Sequence, residues 1–168
     1  MSRFLKVFEA QQSFMSLLQN LENNNTPVDL VGVSQIHKAH IVASIFEKTD
    51  KSVVLLTADD SLAQRLTEEI NDFLEGREKA LCFTSREFVF NNIEGASREY
   101  ELERISVLSE LTTKKKHILV ASVQSAMQFT LPKQELKNHT IEIKPGQEIA
   151  IDKIVKHLIG AGYVRRDN

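Results

Sequence analysis

The chain has 168 residues, 42% hydrophobic and 26% charged, and its 21 lysines and arginines against 23 acids leave a net charge of -2. This is the composition of a globular protein with enough chain for its own core, and it excludes a strong global field drawing the chain onto nucleic acid or an anionic membrane. No apolar run approaches the roughly 18 residues of a spanning helix, and the single cysteine, Cys82, excludes an intrachain disulfide and an all-cysteine metal site.

The first residues, MSRFLKVFEA, lack a continuous apolar stretch and a small-residue cleavage site, so neither a signal peptide nor a membrane partner is expected, and the expected compartment is the reducing cytoplasm. Phe4, Val7, Phe8, Phe14, Met15, Leu18 and Leu21 recur at helical spacing and predict a helix over 4–21, broken by Asn23, Asn24, Asn25, Thr26 and Pro27. Val28 to Val33 is a short apolar run that predicts a buried strand. Ile36, Ala39, Ala43 and Phe46 predict a helix over 35–48. Ser52 to Leu56 is continuous and β-branched, as a strand covered on both faces should be. Asp59, Asp60 and Ser61 offer N-cap chemistry for a helix carrying Leu62, Leu66, Ile70 and Phe73, with Gly76 as its stop.

Lys79 to Phe83 predicts a further strand, and 86–96 a loop around Asn91, Asn92 and Gly95. Ser97 can cap a helix reaching about Leu111, with Leu102, Ile105, Leu108 and Leu111 on its apolar side. Lys114, Lys115 and Lys116 end it as a solvated basic terminus. Ile118 to Val123 is another strand, and Ser122 or Ser125 can begin a short helix that stops near Leu131 and Pro132. Alternating strands and helices over more than a hundred residues predict an α/β fold: a parallel sheet with right-handed crossovers and helices on both faces. The pattern changes near Asn138. Thr140 to Ile143 alternates like a strand, Lys144-Pro145-Gly146 is a turn, Ile151, Ile154, Val155 and Leu158 mark a helix, and the segment from Tyr163 resembles the start of a strand. The expected division is a domain over 1–138 and the start of a second, small α+β domain over 139–168.

Chemistry is concentrated between the predicted strand 28–33 and the helix that follows. Gly32-Val33-Ser34-Gln35-Ile36-His37-Lys38-Ala39 aligns with the phosphate-cradling pattern G-x-x-x-x-G-K-[ST]. Gly32 and Lys38 match. His37 replaces the second glycine, whose missing Cβ lets loop amides curl around phosphates, and Ala39 replaces the hydroxyl residue that holds magnesium. The VVLLTADD stretch offers no convincing metal-holding acids, because Asp59 and Asp60 lie where a cap is needed. The loop therefore reads as a vestigial phosphate site, and no cofactor is expected for this chain.

Other constellations are weaker. His37 and His40 stand at i, i+3, a spacing that can hold metal, but no further ligand accompanies them, so no metal is expected. Ser85, Ser97 and Ser122 lack a histidine–aspartate context for nucleophilic catalysis. Cys82, in a predicted strand, reads as core filling.

Four ordered stretches resemble the UvrB-like N-terminal region of the bacterial transcription-repair coupling factors: VDLVGVSQIHKAH, SVVLLTADDSLAQRLTEEINDFL, SREYELERISVLSELTTKKKHILVASVQSAMQ and IEIKPGQEIAIDKIVKHLIGAGYVRRDN. The resemblance implies a P-loop-NTPase-like degenerate helicase domain without ATPase activity over 1–138. It also implies the opening of a UvrA-binding domain from 139. On that reading the chain is expected to be a fragment of a longer parent. That parent contacts RNA polymerase and DNA and works as a translocase with ATP and magnesium in a separate motor. Arg165 and Arg166 are then candidate contacts to UvrA. The alternative, an active UvrB or helicase-type nucleotide-binding enzyme, would require the intact loop and an aromatic-rich hairpin, and Phe88, Phe90 and Tyr100 form no comparable cluster. A stand-alone α/β module is the third reading.

Overall fold

The computed structural model describes residues 7–76, 79–86, 99–113 and 115–164, with the backbone alone for Glu9 and Glu99. Predicted features at 1–6, 87–98, Lys114 and 165–168, including the loop at 91–95 and the Ser97 cap, lie outside the described residues. The chain divides into two compact units, Met1–Gln128 and Phe129–Asn168.

The first unit opens with a 3-10 turn, Val7–Ala10, and helix α1, Gln12–Glu22. The continuous helix expected over this stretch is thus interrupted at Gln11, whose backbone is extended. Helix α2, Gln35–Lys48, leads to strand β1, Val53–Thr57; helix α3, Asp60–Leu74, leads to β2, Leu81–Phe83; helix α4, Glu99–Glu110, leads to β3, Ile118–Ser122, and a short α5, Val123–Ala126. The three strands form an all-parallel sheet in the order β1-β3-β2, with Val53 opposite Ile118 and Leu81 opposite Leu119. The fold class is α/β, as the alternation of elements predicts.

Alternate side chains of β3 point to opposite faces, and this divides the interior. Ile118 and Val120 join Ala39, Val42, Ala43 and Phe46 of α2 and Ala63, Leu66, Ile70 and Leu74 of α3 on one face. Leu119 and Ala121 meet Phe83, Val107, Leu108 and Leu111 on the other, under α4. A third cluster joins Phe14, Leu17 and Leu18 of α1 to Phe8, Val28 and the Ile41 and Ile45 side of α2.

Several expectations are corrected. Residues 28–33 form no strand among the described residues, and Val31 is 93% exposed. Their apolar run is real, but it has no paired neighbour. β1 is covered on one face only: Val53 and Leu55 pack beneath α2 and α3, whereas Val54 and Leu56 are exposed. The apolar side of α4 is rotated from the predicted one, because Leu102 and Ile105 face solvent while Arg104 and Val107 are buried. Lys116 is not a solvated end of α4. Its ammonium donates to the Phe46 and Thr49 carbonyls at 2.7 and 3.0 Å and lies 4.3 Å from the Phe46 ring centre. It therefore satisfies the carbonyl end of α2, where positive charge complements the helix dipole.

The second unit contains α6, Lys133–Asn138, which the sequence reading missed, and α7, Ile151–Gly160. Thr140 to Ile143 is not a strand, because no partner strand faces its alternating side chains among the described residues. Tyr163 and Val164 likewise form no strand. In α7 no residue is buried, although Ile151, Val155, Leu158 and Ile159 share one side.

The two lysines that follow Lys114 provide a test. Lys116→Ala should lower unfolding free energy in urea by about 1–3 kcal/mol, because it removes a charged donor from two helix-terminal carbonyls. Lys115→Ala, on the exposed neighbour, should stay within about 0.5 kcal/mol.

Candidate functional site

The loop entering α2 is exposed from Ser34 through Lys38. Gly32 holds φ +77, a left-handed conformation that disfavours any residue with a Cβ. Ser34 occupies the N-cap position of α2 with an extended backbone, yet its hydroxyl makes no cap bond and instead lies 2.9 Å from His37 Nδ1. The imidazole is therefore fastened across the first turn. Lys38 turns sideways, and its ammonium donates to Gln35 Oε1 at 3.3 Å.

Ala39 faces away from the exposed side of the loop. It is completely buried and packs within the α2–α3 core. Gly32 lies in the loop before α2, and His37, Lys38 and Ala39 lie within the start of the helix, without a sheet strand before them among the described residues and without an oxygen at the fourth position. The expectation that this loop follows the first strand of the sheet is not met.

The two histidines are held apart by their surroundings. His37 is exposed, whereas the His40 ring lies between Phe8 and Phe73, tilted against the first and stacked on the second, with centroid distances of 4.2 and 4.6 Å. Among the described residues no three His, Cys, Asp or Glu side chains gather to hold a metal.

A second polar centre lies at the carboxyl ends of the strands, where open parallel sheets generally present their chemistry. Asp59 caps α3, accepting from the Leu62 amide at 2.7 Å, as predicted. Asp60 does something different. Its Oδ2 accepts from the Ser85 amide at 3.0 Å and from the Ser85 hydroxyl, tying α3 to the end of β2. Burial pushes the Asp60 carboxyl up, but hydrogen bonds from the Ser122 and Ser85 side chains and the Ser85 amide, with the Arg104 charge, outweigh it and hold the group below its usual value.

Arg104, buried in the middle of α4, lays its guanidinium 3.9 Å from the centre of the Phe83 ring and donates to the Thr84 carbonyl. Burial and the nearby Arg86 charge lower its affinity for a proton, with Asp60 acting in the opposite sense. Ser122 caps α5 by accepting from the Ser125 amide at 3.0 Å. The serines considered for nucleophilic chemistry, Ser85 and Ser122, are thus buried structural bonding groups with no histidine in their bonds, and Ser97 lies outside the described residues.

The sequence reading missed Arg104 and Ser85. The available signal was the helical spacing Arg104, Val107, Leu108, Leu111, which places an arginine on the apolar stripe.

A groove of about 690 Å³ runs along the outer edge of β2 between α3 and α4, with Thr67, Asn71, Cys82, Val107 and Glu110 among its lining residues. Burial pushes the Cys82 thiol up, with a smaller opposing bond from Thr67, so the thiolate is disfavoured at neutral pH. Arg165 and Arg166 lie outside the described residues.

No protein-family model and no solved structure matches the chain. Curated relatives do. A transcription-repair-coupling factor of Bacillus subtilis (strain 168) is 27% identical over 154 residues, which cover 92% of this chain and 13% of that protein. UvrABC system protein B of Clostridium perfringens (strain SM101 / Type A) is 27% identical over 181 residues, covering 99% of this chain and 27% of the relative. A transcription-repair-coupling factor of Staphylococcus haemolyticus (strain JCSC1435) is 24% identical over 136 residues, covering 81% of this chain and 12% of its own length. The chain therefore spans between about an eighth and about a quarter of the length of these relatives. Relatives bearing both names, similar over most of the chain, agree with the UvrB-like resemblance of its four segments.

Two outcomes follow from this geometry. Ala39→Thr should destabilise the fold by about 1–3 kcal/mol in urea, because it forces a branched, polar side chain into a filled core position. Asp60 is ionised at lower pH in the folded state than in the unfolded one. Its contribution is therefore present above the unfolded carboxylate value near about 4 and is lost as pH falls through the folded value. The melting-temperature gap between the native chain and Asp60→Asn should be wide at pH 7 and should narrow progressively below about pH 4.

Proposed function

We propose that this chain is a non-catalytic, UvrB-like module of DNA repair that helps recruit UvrA in transcription-coupled nucleotide excision repair. Support for the repair assignment comes from the relatives named transcription-repair-coupling factor and UvrABC system protein B. The observation that carries the non-catalytic reading is the position of Ala39. The residue standing where a nucleotide site keeps its magnesium-holding hydroxyl is sealed inside the α2–α3 core, and His37 beside it is bonded to Ser34.

The first unit then serves as a scaffold, and the segment from 139 onward contributes to UvrA contact, with Arg165 and Arg166 as the candidate anchors. The module acts in the cytoplasm as part of a longer protein. That protein is an ATP-dependent DNA translocase acting on stalled RNA polymerase, and its ATP and magnesium belong to a motor elsewhere in it. Among the described residues no helix is long and apolar enough to cross a membrane.

Titration calorimetry with magnesium-ATP tests the non-catalytic half: no heat of binding is expected, and a micromolar dissociation constant or measurable turnover would favour the nucleotide-binding enzyme instead. Capture of purified UvrA by the immobilised chain tests the other half. The expected result is retention that weakens at least several-fold in Arg165→Glu/Arg166→Glu. Failure of the folded native chain to retain UvrA overturns recruitment.

A further inference from the structure

The groove beside β2 follows the side of that strand turned away from β3, and the ladder fixes which backbone groups reach it. The Val53 amide donates to the His117 carbonyl at 2.9 Å, so His117, Leu119 and Ala121 bond β1 and the alternate residues Ile118 and Val120 face β2. In a parallel ladder a residue bonds the two that flank its partner. Val120 stands opposite Cys82, so Leu81 and Phe83 bond β3. The N–H and C=O of Cys82 therefore turn outward, together with those of Ala80 and Thr84.

Side chains already occupy this edge on either side of Cys82. Asn71 Oδ1, from α3, accepts from the Ala80 amide at 2.7 Å, and Arg104, from α4, donates to the Thr84 carbonyl. Both bonds stand where a neighbouring strand would make its own. Among the described residues no side chain does the same for Cys82, which is half-buried and lines the groove between them.

The two walls of the groove differ in charge. Ala80 and Cys82 share the sheet face with α3, whose Thr67 and Asn71 make a neutral wall. Leu81 and Phe83 share the other face with α4, whose Glu103 and Glu110 make an acidic one. Both acids are exposed, and neither enters an ion pair among the described residues. They stand seven residues apart on one helix, about 10.5 Å along its axis. Alternate side chains of an extended peptide are about 6.7 Å apart, so lysines or arginines two positions apart reach both acids with their long stems. At the amino end of β2 the charge reverses, with the exposed Lys79 and Lys115 in the lining.

We propose that the β2 edge is a docking site for an extended basic segment of a partner protein. The segment adds as a strand, bonding the N–H and C=O of Cys82. Its alternate lysines or arginines face Glu103 and Glu110, and an acidic residue follows at the end beside Lys79 and Lys115. A second copy of this chain fits less well: two β2 edges paired antiparallel about a twofold axis would bring the α4 acids of both copies to the same face. The site belongs to the first unit and does not use the segment from 139.

Selection of a displayed library of random ten-residue peptides on the immobilised native chain tests this, with enriched peptides synthesised and titrated by fluorescence anisotropy and NMR. Enriched peptides should carry lysine or arginine at alternate positions and slow exchange of the Cys82 amide at least tenfold. N-methylation of alternate peptide amides should abolish binding in one phase and spare it in the other, as pairing through one edge requires. Glu103→Lys/Glu110→Lys should weaken binding at least tenfold, and Glu103→Gln/Glu110→Gln should weaken it in the same direction with an unchanged melting temperature. The absence of enriched peptides, enrichment of peptides that leave the Cys82 amide unaffected, or full affinity in both double variants overturns the proposal. Protection of the Cys82 amide that rises with protein concentration in the absence of peptide also overturns it, and assigns the edge to a second copy.

Discussion

The first unit is organised around a single strand. β3 is the only one of the three with a hydrogen-bonded neighbour on each side, and its alternating side chains serve two separate cores. Ile118 and Val120 receive α2 and α3, and Leu119 and Ala121 receive α4. A buried strand of this kind must be apolar in both directions, and the ILVA run meets that requirement. Among the described residues β1 and β2 each have one bonded neighbour, and the exposed apolar surface of the sheet and its groove both lie at its margins.

Polar groups fasten the carboxyl ends of the strands to one another. Asp60 reaches from α3 to Ser85 beyond β2, Ser122 closes β3 onto α5, and Arg104 reaches from α4 to the Thr84 carbonyl while covering the Phe83 ring. A half-buried carboxylate and a buried guanidinium are costly when unpaired and stabilising when bonded, so these contacts help fix how α3 and α4 sit on the sheet. The chemistry of this end is thereby committed to structure. The loop at the start of α2 is similarly committed: its histidine is bonded to a serine and its alanine is packed.

The resemblance and the relatives point to one repair system. Exposed apolar side chains include Val54 and Leu56 of β1 and Ile151, Leu158 and Ile159 of α7.

Much of this was legible from residue order alone. α2, α3, β1 and β3 follow from long periodic or continuous apolar runs, and the caps at Asp59 and Ser122 from local donor and acceptor chemistry, because these depend on neighbours within one turn. Half of the candidate loop was legible in the same way: Gly32, His37, Lys38 and Ala39 could be named, but not the burial of Ala39 or the bond between His37 and Ser34. The spacing of Arg104, Val107, Leu108 and Leu111 carried a signal for the inward side of α4, but tertiary structure decided it, because Phe83 and Thr84 bring Arg104 in. Tertiary structure alone decided that Lys116 serves a helix 70 residues earlier at Phe46. It also left Val28 to Val33 and Thr140 to Ile143 unpaired, because a strand is completed by a partner and periodicity carries no record of whether one is present.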